Sequence, residues 1–373
     1  MTKQYIISLG LLLCLTTDNL WATVRTVLNV PSGLAQFNDI QSAADASVSG
    51  DTIYIHGSTT TYASFTVTNK KLVYIGPGYA TQKTQALSAK IFHANIENYS
   101  NLPGSASGTE FHGLQVTGTL AFGGPFTNGV AVNNVLIQRC YFTGSSAGVS
   151  MTRGNTTYSN YIFQSNYFHA TFFNANASGT TYVNMLFRNN VVLHQGTSNT
   201  FMPSFNNSTG LHIDHNLFYG TGTLFGTSAN NPNFATITNN IFINVAGIGN
   251  TQNSLYQNNL TFSTNHSAPW TMGSNYDGGG NMNANPLMVN QVALTANALD
   301  VLMDFNPGPG SPCLNAGTDG LNLGVIYQTN SPDDWAQSRN GVLPYLVSLN
   351  VPNAANLIQG STTPVQINAV KGK

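Results

Sequence analysis

The sequence predicts an all-β solenoid, a parallel β-helix, on three observations. First, a short pattern recurs: IQRCYF from Ile137, FQSNYF from Phe163, FRNNVV from Phe187, IDHNLF from Ile213, ITNNIF from Ile237 and YQNNLTF from Tyr256. Aligned on the fourth residue, the column reads Cys140, Asn166, Asn190, Asn216, Asn240 and Asn259, at spacings of 26, 24, 26, 24 and 19 residues. A period in the twenties marks a repeat architecture. Second, charged residues are 7% of the 373-residue chain and glycines number 36. That composition excludes helical repeats rich in Ala, Leu, Glu and Lys, and a leucine ladder is absent. Third, aromatic and β-branched residues fill short runs between Gly, Asn and Ser, the mark of strands and turns. Three short strands and three turns fill a coil of roughly 20–27 residues.

The asparagines need their own reason, because a buried primary amide is costly unless it is hydrogen-bonded. Stacked rungs lie about 4.8 Å apart, so an Asn at the same bend of each coil passes a hydrogen bond to the next, as in cross-β ladders. Asn also tolerates the left-handed conformation of a tight bend. Gly113, 27 residues before Cys140, fits one step earlier in the column.

In chain order, residues 1–22 read as a signal peptide: Lys3, the apolar run Ile6 to Leu15, and a cleavage site after Leu20-Trp21-Ala22. Cys14 follows Leu13, which disfavours a lipoprotein signal. The apolar run is too short to span a bilayer, and no other segment is apolar enough. The expected location is therefore secreted or cell-surface. Residues 23–50 hold a strand, Thr23 to Val30, and a capping helix with Ile40, Ala43, Ala44 and Val48 on one face, Asn38 or Asp39 at its start and Gly50 at its end. Such a helix covers the open end of a solenoid core. Residues 51–262 are the coils, beginning with Thr52 to Ile55. Residues 263–341, punctuated by Pro269, Pro286, Pro307, Pro309 and Pro312, form an irregular segment expected over the far end of the helix. Residues 342–373 hold two strand-like runs, a strand pair or appendage.

The entry motif DIQSAADA…GDTIYI, the strand LVYIGPGY and the NNIF-type coils resemble right-handed parallel β-helix proteins of the pectin-lyase-like fold, in the form secreted by Bacteroidetes-type bacteria. GGNMNANPLMV (Gly279 to Val289) resembles their post-coil segment, with Asn285 where Asp is usual. GSPCLNAGTDG (Gly310 to Gly320) resembles their closing motif, with Cys313 in place of alanine. The resemblance implies the fold and a right-handed coil. It implies no single activity, since this fold carries lyases, hydrolases and adhesins.

The net charge of -1 argues against nucleic acid and anionic membranes as partners. Calcium-assisted lyases need clustered carboxylates, and glycoside hydrolases need two flanking the bond. From Phe111 to Tyr276 the chain holds a single carboxylate, Asp214, and from Ile91 to Val370 no lysine. The other acids fall near the ends. No metal site and no cofactor are expected. His112, His169 and His194 fall in different columns and do not converge, and His215 beside the ladder reads as a hydrogen-bonded turn residue.

The column two before the ladder reads Gln138, Gln164, Arg188, Asp214, Thr238, Gln257, and alternation with the apolar column points it outward. Arg188 and Asp214 are then neighbours, with His212 on the same face. They form either a surface ion pair with a bystander histidine or a polysaccharide-binding face. Phe142, Phe168, Phe218 and Phe242 share one column and Tyr141 and Tyr167 the adjacent one. One of the two stacks in the core. An outward Tyr141–Tyr167 pair suits sugar stacking, and equally suits cover by a loop. The sequence favours binding of polysaccharide or a cell-surface glycan without catalysis. The alternative is a lyase on an acidic glycan, without a carboxylate calcium cluster, using Arg, His or Tyr as base. Cys140 and Cys313 are expected to be reduced, about five rungs or roughly 24 Å apart.

Overall fold

A computed structural model describes residues 22–30, 34–79, 87–124, 128–144, 147–175, 179–195, 200–202, 205, 208–226, 232–329, 331, 333–339, 345–350 and 366–370. The signal-peptide reading lies outside these residues. The chain is an all-β parallel solenoid. Its first sheet has eleven strands, each paired in parallel to its equivalent one coil along, from Val24–Val27 to Tyr276–Asp277. A second, thirteen-stranded sheet runs beside it, including Tyr141–Thr143, Tyr167–His169, Val191–Leu193, Leu217–Tyr219 and Ile241–Ile243. Coils continue past residue 262, since Tyr276–Asp277 and Met282–Asn283 each add one more parallel strand.

The entry is capped by a helix, Ile40–Ala46, that buries Ile40, Ala43 and Ala44. Asp39 caps it by accepting from the Ser42 amide at 2.7 Å. The helix stops before Val48, which is exposed rather than part of the apolar face, because Asp51 captures the Val48 amide. The buried Asp51 carboxylate also accepts from the Thr23 amide and meets Arg25 at 3.3 Å. Burial alone would raise its pKa, but these donors together hold it below the ordinary value.

Asn166, Asn190, Asn216, Asn240 and Asn259 are fully buried. In each pair the backbone amide and Nδ2 both donate to the Oδ1 of the next rung: Asn190 to Asn216 at 2.8 and 3.0 Å, and Asn216 to Asn240 at 2.9 and 2.9 Å. Nδ2 also donates back to the preceding coil, as from Asn216 to the Phe187 carbonyl at 2.9 Å. Asn281, 22 residues beyond Asn259, adds a further step that the sequence did not reveal. At the other end Cys140 donates its backbone amide to Asn166 and its thiol to the Phe111 carbonyl.

Two details of the ladder need correction. Gly113 is not in the column: it pairs with the position of Arg139, and buried Leu114 precedes Cys140. The left-handed residue at each bend is also not the ladder Asn but the one before it. Arg139, Ser165, Asn189, His215, Asn239 and Asn258 all have φ between 53° and 60°, and Gly113 has 62°. Gly113 fits there because glycine meets no Cβ penalty at positive φ.

The largest departure concerns the segment after the coils. Its first turn, with buried Pro269 and Trp270, packs against the end of the coil core as expected, but the rest does not stay there. It turns back along the flank and covers the outer face of the second sheet. Met288, Leu294, Met303, Phe305, Cys313, Leu323, Val325 and Trp335 form a second core with Tyr167, Val191, Leu193, Leu217, Tyr219, Ile241, Ile243 and Leu260. The segment reaches as far back as Tyr79, whose amide donates to the Arg339 carbonyl at 3.0 Å. Tyr345–Asn350 and Gln366–Val370 pair antiparallel with each other.

The two thiols are not joined to each other, as expected. They sit in different cores, Cys140 inside the coils and Cys313 under the flank, and both are free and buried. Burial pushes each thiol up to about 12, so neither offers thiolate at neutral pH. Both should resist iodoacetamide in the native protein and react stoichiometrically after denaturation. Rapid native labelling of either, read by peptide mass mapping, would contradict this burial.

Candidate functional site

The Arg188 column faces outward, as alternation requires, but it is not open. The returning flank lies along it. Arg188 Nε is 3.4 Å from Asp214 Oδ2, and its Nη2 is 3.6 Å from Asp333 Oδ2. The Asp333 carboxylate also accepts from Gln164 Nε2. Asp214 Oδ1 accepts from Thr238 at 2.7 Å and from Asn239 at 2.8 Å. The flank is tied to the left-handed bends themselves: Asn189 accepts from the Ile326 amide at 2.7 Å and donates to the Asp333 carbonyl at 2.6 Å. Buried His215 contacts the Gly324 carbonyl and Asp319, each at 3.1 Å. Burial would raise the Asp319 carboxyl, but the Leu321 amide and His215 outweigh it and hold its pKa below the usual range.

So the carboxylates that chain order placed beyond the coils, Asp319 and Asp333, come back onto the coil body. They join Arg188 and His215 as anchors of the flank. Arg188 and Asp214 are brought together, and their charges are engaged with each other and with that strap.

The aromatic columns are resolved too. Phe142 stacks on Phe168 at 4.6 Å and Phe218 on Phe242 at 5.1 Å, inside the coils. Tyr167 points the other way, under the flank. It is fully buried, 6.0 Å from Phe305, with its hydroxyl 2.6 Å from that of Tyr219. Tyr141 packs edge-on against Tyr167 at 5.5 Å and at a tilt against Tyr79 at 5.4 Å. Cover by the chain itself, not sugar stacking, explains this pair. His112 contacts Glu110 at 2.8 Å, His194 is buried beside Phe201, and His169 lies elsewhere. Among the described residues no group of three His, Cys, Asp or Glu side chains converges to hold a metal.

His212 is different. It is exposed on the outer face of the first sheet, away from the flank. It borders a depression of about 390 Å³ lined by Asn160, Ile162, Asn184, Met185 and Leu186. Pairing register sets Leu136, Ile162, Leu186, His212, Thr236 and Leu255 in one outward column. Two residues earlier on each strand is a second line of left-handed bends: Asn134, Asn160, Asn184, Gly210 and Phe234, with φ of 58°, 58°, 53°, 72° and 54°. Asn160 donates to Asn134 at 2.7 Å and Asn184 to Asn160 at 3.1 Å.

Phe234 is the outlier. A bulky aromatic in left-handed backbone is strained, yet its ring is 64% exposed. The sequence reading passed over it because FATIT carries no anomaly as a string. The signal is positional, visible only once register aligns Phe234 with Asn184 and Gly210.

A second concavity, of about 490 Å³, lies beside Gly123, Gly124, Ser150, Thr152 and Arg153. Arg153 Nη1 donates to the Gly124 carbonyl at 2.9 Å. Nearby Tyr99 donates to Glu97 at 2.9 Å, and burial, with Glu97 adding to it, pushes its phenol up to about 12. That phenol keeps its proton at neutral pH and does not serve as a ready base.

The fold and these surfaces define a protein of the parallel β-solenoid class. No protein-family model matches the chain, and no curated protein matches it either. Among the described residues no helix is long and apolar enough to cross a membrane.

Proposed function

We propose that this is an exported β-solenoid that binds polysaccharide without cleaving it, through the open face of its first sheet. The observation that carries the reading is Phe234. Strained backbone persists where the surrounding structure enforces it, and such strain clusters at functional sites. An exposed ring held this way offers a platform for the C–H face of a sugar, beside the half-exposed Ile162 and Leu186 and the imidazole of His212. Rungs repeating every ~4.8 Å suit a repeating polymer. Kinship with the pectin-lyase-like β-helices and export through residues 1–22 belong to the same proposal.

The lyase alternative is less well supported, because Arg188 is engaged with two carboxylates and Tyr99 is protonated. A glycan array with wild type and Phe234→Asn tests the binding reading. Asn adopts left-handed backbone readily, so the variant should melt no lower than wild type while losing about ten-fold or more in affinity. Undiminished binding by Phe234→Asn would remove this face. Release of unsaturated uronides from acidic polysaccharide, with or without EDTA, would establish catalysis instead.

A further inference from the structure

The geometry points to an uncharged glycan as the ligand of this face, an inference that rests on the binding reading above. A ligand that recognises a row of amides and apolar side chains differs from one that recognises cations, and the charges of these rungs decide between them. Arg188, the cation on the neighbouring column, lies between Asp214 and Asp333. A uronate or sulfate approaching it would have to displace a carboxylate already in place. Followed toward the entry, the outward column reaches Glu110 next after Leu136, where the carboxylate meets His112 at 2.8 Å and lies beside Lys71, so that rung is charge-balanced rather than cationic. Around the depression itself the lining is amide, aliphatic and imidazole.

A specific acceptor is left open there. The exposed amide row passes its donors toward the entry, Asn184 to Asn160 to Asn134. The next rung should supply a donor to Asn184 Oδ1, but that position is Gly210. A Cβ built on Gly210 would come within 2.9 Å of this oxygen. The missing side chain thus leaves an exposed carbonyl oxygen one rung before Gly210 and two before Phe234, with His212 two residues along the strand from Gly210. A neutral sugar supplies what the gap lacks: a hydroxyl to donate to Asn184 Oδ1, and a C–H face for Ile162, Leu186 and Phe234. The glycan would run along the solenoid axis, across the strands, because the amide row, the apolar column and Phe234 succeed one another in that direction.

The test uses the full chain, neutral polysaccharides (glucan, mannan, xylan, galactan) and acidic ones (polygalacturonate, alginate), titrated between roughly 50 and 500 mM salt, a range over which exposed charge contacts are strongly screened. The expected result is binding to a neutral member that changes less than about two-fold with salt. Gly210→Asn sets a side chain over Asn184 Oδ1, which shifts to admit its Cβ, and should weaken that binding about ten-fold with little loss of melting temperature, since Asn adopts the left-handed backbone there. Arg188→Ala should leave affinity within about two-fold, since its charge is spent on Asp214 and Asp333 along the covered column. Binding confined to acidic glycans, or falling steeply with salt, overturns the inference while leaving the binding reading intact. Equal affinities for wild type and Gly210→Asn overturn it as well. Failure to bind any member of either class overturns the binding reading and this inference together.

Discussion

Asn216→Leu should destabilise the protein by at least about 3 kcal/mol. Asn216 is wholly buried, and each of its polar atoms is spoken for. Its Oδ1 accepts from both the amide and Nδ2 of Asn190, and its Nδ2 donates to Asn240 Oδ1, the Phe187 carbonyl and the Asp214 carbonyl. Leucine removes all of these and returns nothing. A buried group left unsatisfied costs about 1–3 kcal/mol, and two rungs lose partners at once. Asn216→Asp is the informative companion. It keeps the acceptor for Asn190 but brings a second acceptor against the Phe187 carbonyl, so it should also destabilise, and less so at acid pH where the carboxyl can donate. Denaturant midpoints for wild type and both variants decide the matter. A change below about 1 kcal/mol for Asn216→Leu would mean that the column does not carry the load its hydrogen bonds describe.

That column was legible because its signal is chemical: an amide recurring inside apolar runs has few explanations. The parallel sheets and the entry helix follow from the same regularity, since equivalent residues one period apart must pair. What escaped has physical reasons. Gly113 was placed one residue off because a glycine before an apolar run fits either the ladder or the bend, and only the hydrogen bonds separate them. The flank escaped because sequence distance maps onto axial distance in a solenoid only until the chain turns back. A hint was present. VVL, LFY and IFI show no alternation of polar and apolar residues, and all three strands are buried on both faces, as strands with both faces covered usually are. His212 was read as a companion of Arg188 and Asp214. Two residues of spacing put it on the same face, but the strap divides that face between a covered column and an open one.

The flank makes the second large prediction. Phe305→Ala should cost about 3–5 kcal/mol, the usual range for emptying a buried aromatic site. Phe305 is fully buried at the centre of the second core, 6.0 Å from Tyr167, 6.4 Å from Tyr219 and 5.9 Å from Trp335. Its amide is held by the Tyr327 hydroxyl at 2.8 Å, so the backbone position should persist while the cavity remains. The loss should be local before it is global. The coils keep their own core, with Phe142, Phe168, Phe218 and Phe242 stacked inside, whereas the flank is held by this second core and by its polar contacts to Arg188, Asn189 and His215. Limited proteolysis of Phe305→Ala should therefore nick the chain between residues 286 and 339 first, and hydrogen exchange should rise at Val191–Leu193 and Leu217–Tyr219 as their outer faces lose cover. Glycan affinity at the Phe234 face should stay within about two-fold at temperatures where the coils remain folded, because Phe234 and His212 lie on the open column, outside the core that Phe305 fills. A penalty under about 1 kcal/mol, with no new cleavage, would show that the segment rests on the solenoid without forming a core with it.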